Sequence, residues 1–204
     1  MSDRILTSIG RFSWAYMASE GDPKESGPNK FKCTLMLPKT LDAVASLGLN
    51  PEQSKALLAE AKKCKAEIEA AAKAMAEAKF EDLDNVRWNP VLDGDKKAKK
   101  QPANKGFWLV RSKTQYQPAI TNPEGDGKID PEDTDIQTGF YNGCWGRVFV
   151  QPYTYSVNGN DGVALGLGSV QKAYNDERFQ AVEEDAFGGV TPIAAVSEDF
   201  AGIE

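Results

Sequence analysis

The chain has 204 residues, 41% hydrophobic and 26% charged, with a formal net charge of −6, which suits one soluble domain with extra segments or two small ones. It contains no histidine, which removes Ser-His-Asp and Cys-His triads, HExxH zinc sites and every imidazole-based acid–base mechanism. Residues 1–120 carry 20 Lys and Arg against 15 acids, and residues 121–204 carry 4 against 15. A mildly basic body therefore precedes an acidic end. A polyanionic partner is not excluded, because binding answers to the field within a Debye length of about 8–10 Å rather than to total charge.

The first predicted element, GRFSWAYMAS at 10–19, alternates Phe12, Trp14 and Tyr16 with Arg11, Ser13 and Ala15, the period of a strand. After a loop, KFKCTLMLPK sets Phe31, Cys33, Leu35 and Leu37 on one face and Lys30, Lys32, Thr34 and Met36 on the other. Residues 51–79 read as a long helix with Asn50 as N-cap and Pro51 at the first helical position. Its narrow seam, Leu57, Ala61, Cys64, Ile68, Ala71, Met75 and Ala78, recurs in steps of four and three and lays the helix along the domain or against a partner.

The stretch that follows holds Lys96, Lys97, Lys99, Lys100 and Lys105 and reads as a solvated loop. Strand character resumes in GFWLVRSKTQY at 106–116, and a Pro/Gly-punctuated acidic loop comes next. Two further strands, GCWGRVFVQPYTYSV and GVALGLGSVQKAY, flank a turn at 158–162. From about 183 the chain holds Glu183, Glu184, Asp185, Glu198, Asp199 and Glu204 and no base.

Five or six short strands with one helix after the second predict a mainly β fold. The best-fitting form is an OB-fold-like small antiparallel barrel with one long inserted helix. It spans residues 1–182, and a flexible acidic tail covers 183–204.

The three cysteines, Cys33, Cys64 and Cys144, are odd in number and far apart, so they read as buried thiols in a reducing cytoplasm. Membrane insertion and export are disfavoured: no run of eighteen apolar residues occurs, and MSDRILTSIG lacks a signal-peptide layout. No cofactor is implied, and no nucleophile–base pair or carboxylate dyad points to an enzyme.

The strand at 144–155 carries the most information about binding. Cys144, Gly146, Val148 and Val150 share one side, and Trp145, Arg147, Phe149, Gln151, Tyr153 and Tyr155 the other. Rings interleaved with a cation suit unpaired bases, each stacked base contributing about 1–3 kcal/mol while the cation meets a phosphate. Together with the other strands this nominates Trp14, Tyr16, Trp108, Tyr141, Trp145, Tyr153 and Tyr155 for stacking. It nominates Lys30, Lys32, Arg111, Lys113 and Arg147 for phosphates.

NPEGDGKIDPED at 122–133 imitates a calcium-binding EF-hand loop, with oxygen ligands at Asn122, Glu124, Asp126 and Asp130 and Gly127 in sixth place. The twelfth position is Asp133 rather than Glu, and Pro118, Pro123 and Pro131 prevent the flanking helices, so the reading is an acidic surface turn with no metal. The glycines of GVALGLGSVQK match no phosphate-binding fingerprint.

The order of GRFSWAY, KFKCTLMLPK, the charged helix, GFWLVRSKT, the 141–179 run and an acidic end resembles the bacteriophage OB-fold single-stranded DNA-binding proteins. It is similar in particular to a phage family formerly labelled a domain of unknown function. The resemblance spans about residues 5–188 and is most specific over 141–179, in Tyr141-Asn-Gly-Cys144, Pro152-Tyr153-x-Tyr155 and the Gly162…Gly166-Leu167…Val170-Gln171-Lys172 run.

It implies a non-enzymatic protein that coats and protects single-stranded DNA during phage DNA replication, recombination or repair, in the cytoplasm of the bacterial host. It also implies that the acidic tail recruits replication or recombination proteins; within the tail itself Phe187, Asp199 and Phe200, set among the acids, are the candidate contacts. The tail departs from the family's pattern by ending Gly202-Ile203-Glu204 without a terminal aromatic. The alternative is a phage structural or assembly protein that uses the same aromatic faces for subunit contacts as a homo-oligomer.

Overall fold

Alternation of apolar and polar side chains along three neighbouring strands sets the architecture. In order, the chain forms β1 (Ile5–Leu6), β2 (Gly10–Tyr16), β3 (Phe31–Pro38), α1 (Pro51–Lys79), β4 (Val91–Asp93), β5 (Phe107–Thr114), β6 (Ile120–Thr121), β7 (Lys128–Ile129), β8 (Trp145–Val157) and β9 (Asn160–Tyr174). The computed structural model describes residues 4–25, 27–28 and 30–179. The acidic tail with Phe187, Asp199 and Phe200 lies outside the described residues.

All nine strands join one sheet. β3 pairs β2 on one side and β5 on the other, the second pairing running from Phe31 opposite Thr114 to Pro38 opposite Phe107 without a break. β5 meets β9 in parallel, Ser112 opposite Leu165, and β9 pairs β8 antiparallel. β8 returns to β2 with Gly146 opposite Gly10, so β2, β3, β5, β9 and β8 each have two partners within their own set. The close return demands glycine at 146: a Cβ there would sit 2.0 Å from the Gln171 carbonyl oxygen and 2.8 Å from the Phe12 ring.

One face of these strands is the core. Phe12, Cys33, Leu35, Val110, Val148 and Leu165 pack together, covered by Ala61, Cys64 and Ile68 of α1. On the other face, Met36, Leu109 and Trp145 lie beneath Val44 and Leu57 in a second cluster.

The helix begins where its capping chemistry predicts. The Gln53 amide donates to Asn50 Oδ1 at 2.9 Å and the Asn50 amide to Gln53 Oε1 at 3.1 Å, a reciprocal capping box ahead of Pro51. Its buried seam is Ser54, Leu57, Ala61, Cys64, Ile68, Ala72 and Ala76, not the expected Ala71, Met75 and Ala78 at the far end. A straight helix of 3.6 residues per turn drifts off a strict seven-residue repeat, so the seam steps by four beyond Ile68. The helix lies along the domain by its drifting seam. No helix among the described residues is long and apolar enough to cross a membrane.

The long β8–β9 hairpin turns at Asn158 (φ 50°) and Gly159 (φ 75°), the two consecutive left-handed positions that an Asn-Gly hairpin turn uses. β9 also holds down the acidic loop before β8. The Lys172 ammonium, 2% exposed, donates to the carbonyls of Ile136 (3.1 Å), Gln137 (3.3 Å) and Gly139 (2.6 Å) and lies 5.2 Å from the Tyr141 ring centroid. Burial lowers its pKa, against the pull of Cys144, Asp133 and Asp135.

Replacing Lys172 by Met keeps the stem and strands three carbonyls. Urea denaturation of Lys172→Met is expected to show a loss of about 2–4 kcal/mol, against less than about 1 kcal/mol for exposed Lys128→Met.

Candidate nucleic-acid interface

On the face of β3 and β5 opposite Cys33, Leu35 and Val110, a groove of about 560 Å³ is lined by Trp14 and Tyr16 of β2, Lys32 and Thr34 of β3, and Arg111 and Lys113 of β5. Asp22, Lys24 and Glu25 of the β2–β3 loop, Gln101, and Ala164 and Leu165 of β9 also line it. The register explains the grouping: Lys32 lies opposite both Tyr16 and Lys113, and Thr34 opposite both Ser13 and Arg111. Rings thus stand on one bank and guanidinium and ammonium groups on the other.

Simple alternation places Phe12, Trp14 and Tyr16 on one face, and the structure separates them. Phe12 is fully buried in the core, whereas Trp14 is 47% exposed in the groove. A bulge does this: three steps from Ser13 to Tyr16 on β2 match two steps from Thr34 to Lys32 on β3. Trp14 sits at φ 51°, a left-handed conformation that costs a bulky residue about 1–3 kcal/mol. The adjacent Ala15 amide donates to Asn142 Oδ1 at 2.7 Å. Asn142, given no role by the alternation of the strands, is therefore a positioning residue for the bulge.

The groove also holds acids. The Lys32 ammonium pairs with Asp22 and, at 3.2 Å, with Glu25, and stands 5.6 Å from the Tyr16 ring centroid. Burial pulls the Lys32 pKa down, but these two carboxylates outweigh it and hold it above the ordinary value. The Lys32 hydrogen bond in turn holds Asp22 below the usual carboxylate range. Arg111 and Lys113 are exposed, and neither forms an ion pair among the described residues.

The profile of the family described as Enterobacter phage Enc34, ssDNA-binding protein, matches residues 3–200. The chain belongs to that family. Among solved structures, it is similar to the single-stranded DNA-binding protein of bacteriophage Enc34 in complex with ssDNA. That pair has 19% identity and a TM-score of 0.65 over 87% of this chain and 89% of the other. It is similar also to a C-terminal truncation of the Enc34 protein, with 20% identity and a TM-score of 0.62 over 86% of this chain and 88% of that one. No curated protein sequence matches.

Several residues nominated from the sequence stand elsewhere in this Enc34-family chain. Trp145 is on the predicted face of β8, yet it is 0% exposed, roofed by the second cluster, and its indole N–H donates to Asp176 Oδ2 at 2.7 Å. It cannot stack on a base. Tyr141 is 3% exposed, its hydroxyl donating to the Asp176 carbonyl at 2.9 Å. Trp108 faces the core side of β5, opposite Leu37, with the ammonium groups of Lys39 and Lys65 5.8 and 5.7 Å from its ring centroid.

Arg147 is exposed, but its Nε donates to Gln171 Oε1 at 2.8 Å, about 23 Å of strand away from Ala164 at the groove wall. The Lys30 ammonium donates to the Ser19 carbonyl at 2.7 Å and ties the β2–β3 loop. Tyr153 and Tyr155, half-buried, lie opposite Ala164 and Gly162 on the hairpin and so extend the surface beyond the groove wall.

Asp176, passed over in the sequence, organises the buried aromatics. It accepts from Trp145 and from Ser46 (2.6 Å) and lies 3.5 Å from Arg11 Nη2. Burial pushes its carboxyl up, but these donors outweigh it and keep the pKa below the ordinary range. The loop at 122–133 is closed by its own first residue, since Asn122 Oδ1 accepts the amides of Gly125, Asp126 and Gly127.

The strain at Trp14 is a property of its backbone and can be separated from its ring. Trp14→Gly is expected to be more stable than Trp14→Ala by about 1 kcal/mol in urea denaturation, because glycine accepts the left-handed backbone.

Proposed function

We propose that this protein binds single-stranded DNA without sequence preference, through the groove across β2, β3 and β5, and coats and protects it during phage DNA replication, recombination or repair. The carrying observation is the pairing of two rings, Trp14 and Tyr16, with Arg111 and Lys113 across one open groove in a chain of the Enc34 family. Stacked rings tolerate every base because every base has a π-face, and the cations read only the backbone. Trp14 and Tyr16 stack bases, Tyr153 and Tyr155 extend the track, and Arg111 and Lys113 meet phosphates. Lys32 joins them once a phosphate replaces Asp22 or Glu25.

The fold reading that accompanies this is an OB-type barrel, one domain over residues 1–182. The closed set of five pairings, with β5 and β9 parallel, supports it. So does the position of the groove, since OB folds bind oligonucleotides on their second and third strands, here β3 and β5. The working compartment on this reading is the cytoplasm of the bacterial host.

Of the four tryptophans, only Trp14 lines the groove. Oligothymidylate should therefore quench the fluorescence of the protein but not that of Trp14→Phe, which keeps a ring and stays within a few-fold of the parent affinity. Trp14→Ala is expected to weaken binding about 5- to 150-fold. Arg111→Gln with Lys113→Gln should make the slope of log K against log salt shallower by about 1.4, or 0.7 per phosphate. Quenching that is absent, or indifferent to salt, overturns the reading.

The acidic segment 183–204 competes on this reading with DNA for the cationic groove and, once released, recruits replication or recombination proteins through Phe187, Asp199 and Phe200. Truncation before Glu183 should tighten oligothymidylate binding several-fold at low salt and leave it unchanged at high salt. Equal affinities at low salt would remove the competition.

A further inference from the structure

Gln101, one of the residues that line the groove, belongs to the lysine-rich loop between β4 and β5. That loop is a built structure. Successive turns are closed by Lys97 N to Gly94 O (2.9 Å), Ala98 N to Asp95 O (3.2 Å) and Gln101 N to Lys97 O (3.1 Å). The buried side chain of Asn104 donates from Nδ2 to Gln101 Oε1 at 2.9 Å and so fixes the groove wall.

Its charges are one-sided. Asp93 and Asp95 are engaged by the Lys39 ammonium at 2.5 and 2.6 Å, and Asp95 Oδ1 also accepts the Gly106 amide at 2.7 Å. Those two carboxylates share one ammonium within the fold, which leaves one negative charge against the four lysines of the loop. Lys96, Lys97, Lys99 and Lys100 are all exposed, and none forms an ion pair among the described residues. Lys100 is one residue from the groove wall, about 3.8 Å between Cα atoms, and the other three follow within a few residues. The turn closed from Gln101 to Lys97 keeps that end of the loop beside the groove wall, where a field screened over about 8–10 Å still acts.

Resting on the single-strand reading above, we propose that this loop is the exit track of the binding site. A strand whose bases stack on Trp14 and Tyr16 and whose phosphates meet Arg111 and Lys113 passes Gln101 and lays its next phosphates along Lys96, Lys97, Lys99 and Lys100. The loop lengthens the footprint without touching a base. Its contribution is electrostatic and confined to strands longer than the groove.

The test compares K96Q/K97Q/K99Q/K100Q with the parent and with a charge-matched control, K55Q/K62Q/K63Q/K79Q, whose four lysines are exposed on α1. Each is titrated with oligothymidylates of about 6 and about 30 nucleotides, spanning the range from a groove-sized to a longer site. Matching melting curves establish that all three proteins are folded.

The loop variant is expected to lose about 10-fold or more for the long strand near 0.1 M salt. Its salt slope for that strand should become shallower by about 0.7 per lost contact, up to about 3. Its affinity for the short strand should stay within about twofold, and the α1 control should match the parent on both lengths. A loop variant that behaves like the α1 control, or that loses both lengths alike, overturns the exit track while leaving the groove intact. A parent protein that neither length quenches brings down the groove reading, and the track with it.

Discussion

The unbroken pairing of β3 with β5 is the constraint on which the rest depends. Eight consecutive residues pair, and with a side-chain period of two every inward position on one strand fixes its partner on the other. Cys33, Leu35 and Val110 turn into the core, so Lys32, Thr34, Arg111 and Lys113 must turn out. A one-residue slip of β5 against β3 would bury Arg111 and Lys113 and expose Val110. The hydrophobic effect that drives the core therefore also builds the cationic bank of the groove.

The aromatic bank is made differently, at a local cost. The bulge in β2 sends Phe12 inward and Trp14 outward, and it holds Trp14 in a left-handed backbone that only the surroundings sustain. Asn142 meets the freed amide of Ala15. Strain of this kind collects where a side chain must be aimed, and here it aims an indole across a strip of positive charge. The acids Asp22 and Glu25 sit beside Lys32 in the same groove, so one of its cations is already neutralised in the free protein.

Buried ionic groups anchor the segments that the strands leave loose. Lys172 gathers three carbonyls of the loop before β8, and Asp176 gathers Trp145, Ser46 and Arg11. Each charge is compensated by several hydrogen bonds, as a buried ion must be. The consequence for binding is subtractive: Trp145 and Tyr141, which look like stacking residues in the sequence, become structural because their polar atoms serve Asp176.

Local chemistry was enough to read the long strands, the Asn-Gly hairpin turn, the Asn50 cap and the extent of α1, because propensity, capping and two-residue alternation act over a few neighbours. It was enough, too, to nominate Trp14, Tyr16, Lys32, Arg111 and Lys113, which the fold gathers in one groove. Tertiary structure alone decided which nominated rings stay accessible. Trp145 is covered by Val44 and Leu57, Trp108 faces the core, and Trp14 is turned out by a bulge whose amide partner lies 127 residues away. Alternation determines that two faces exist, whereas what covers each face depends on segments distant in the chain. No local pattern carries that information.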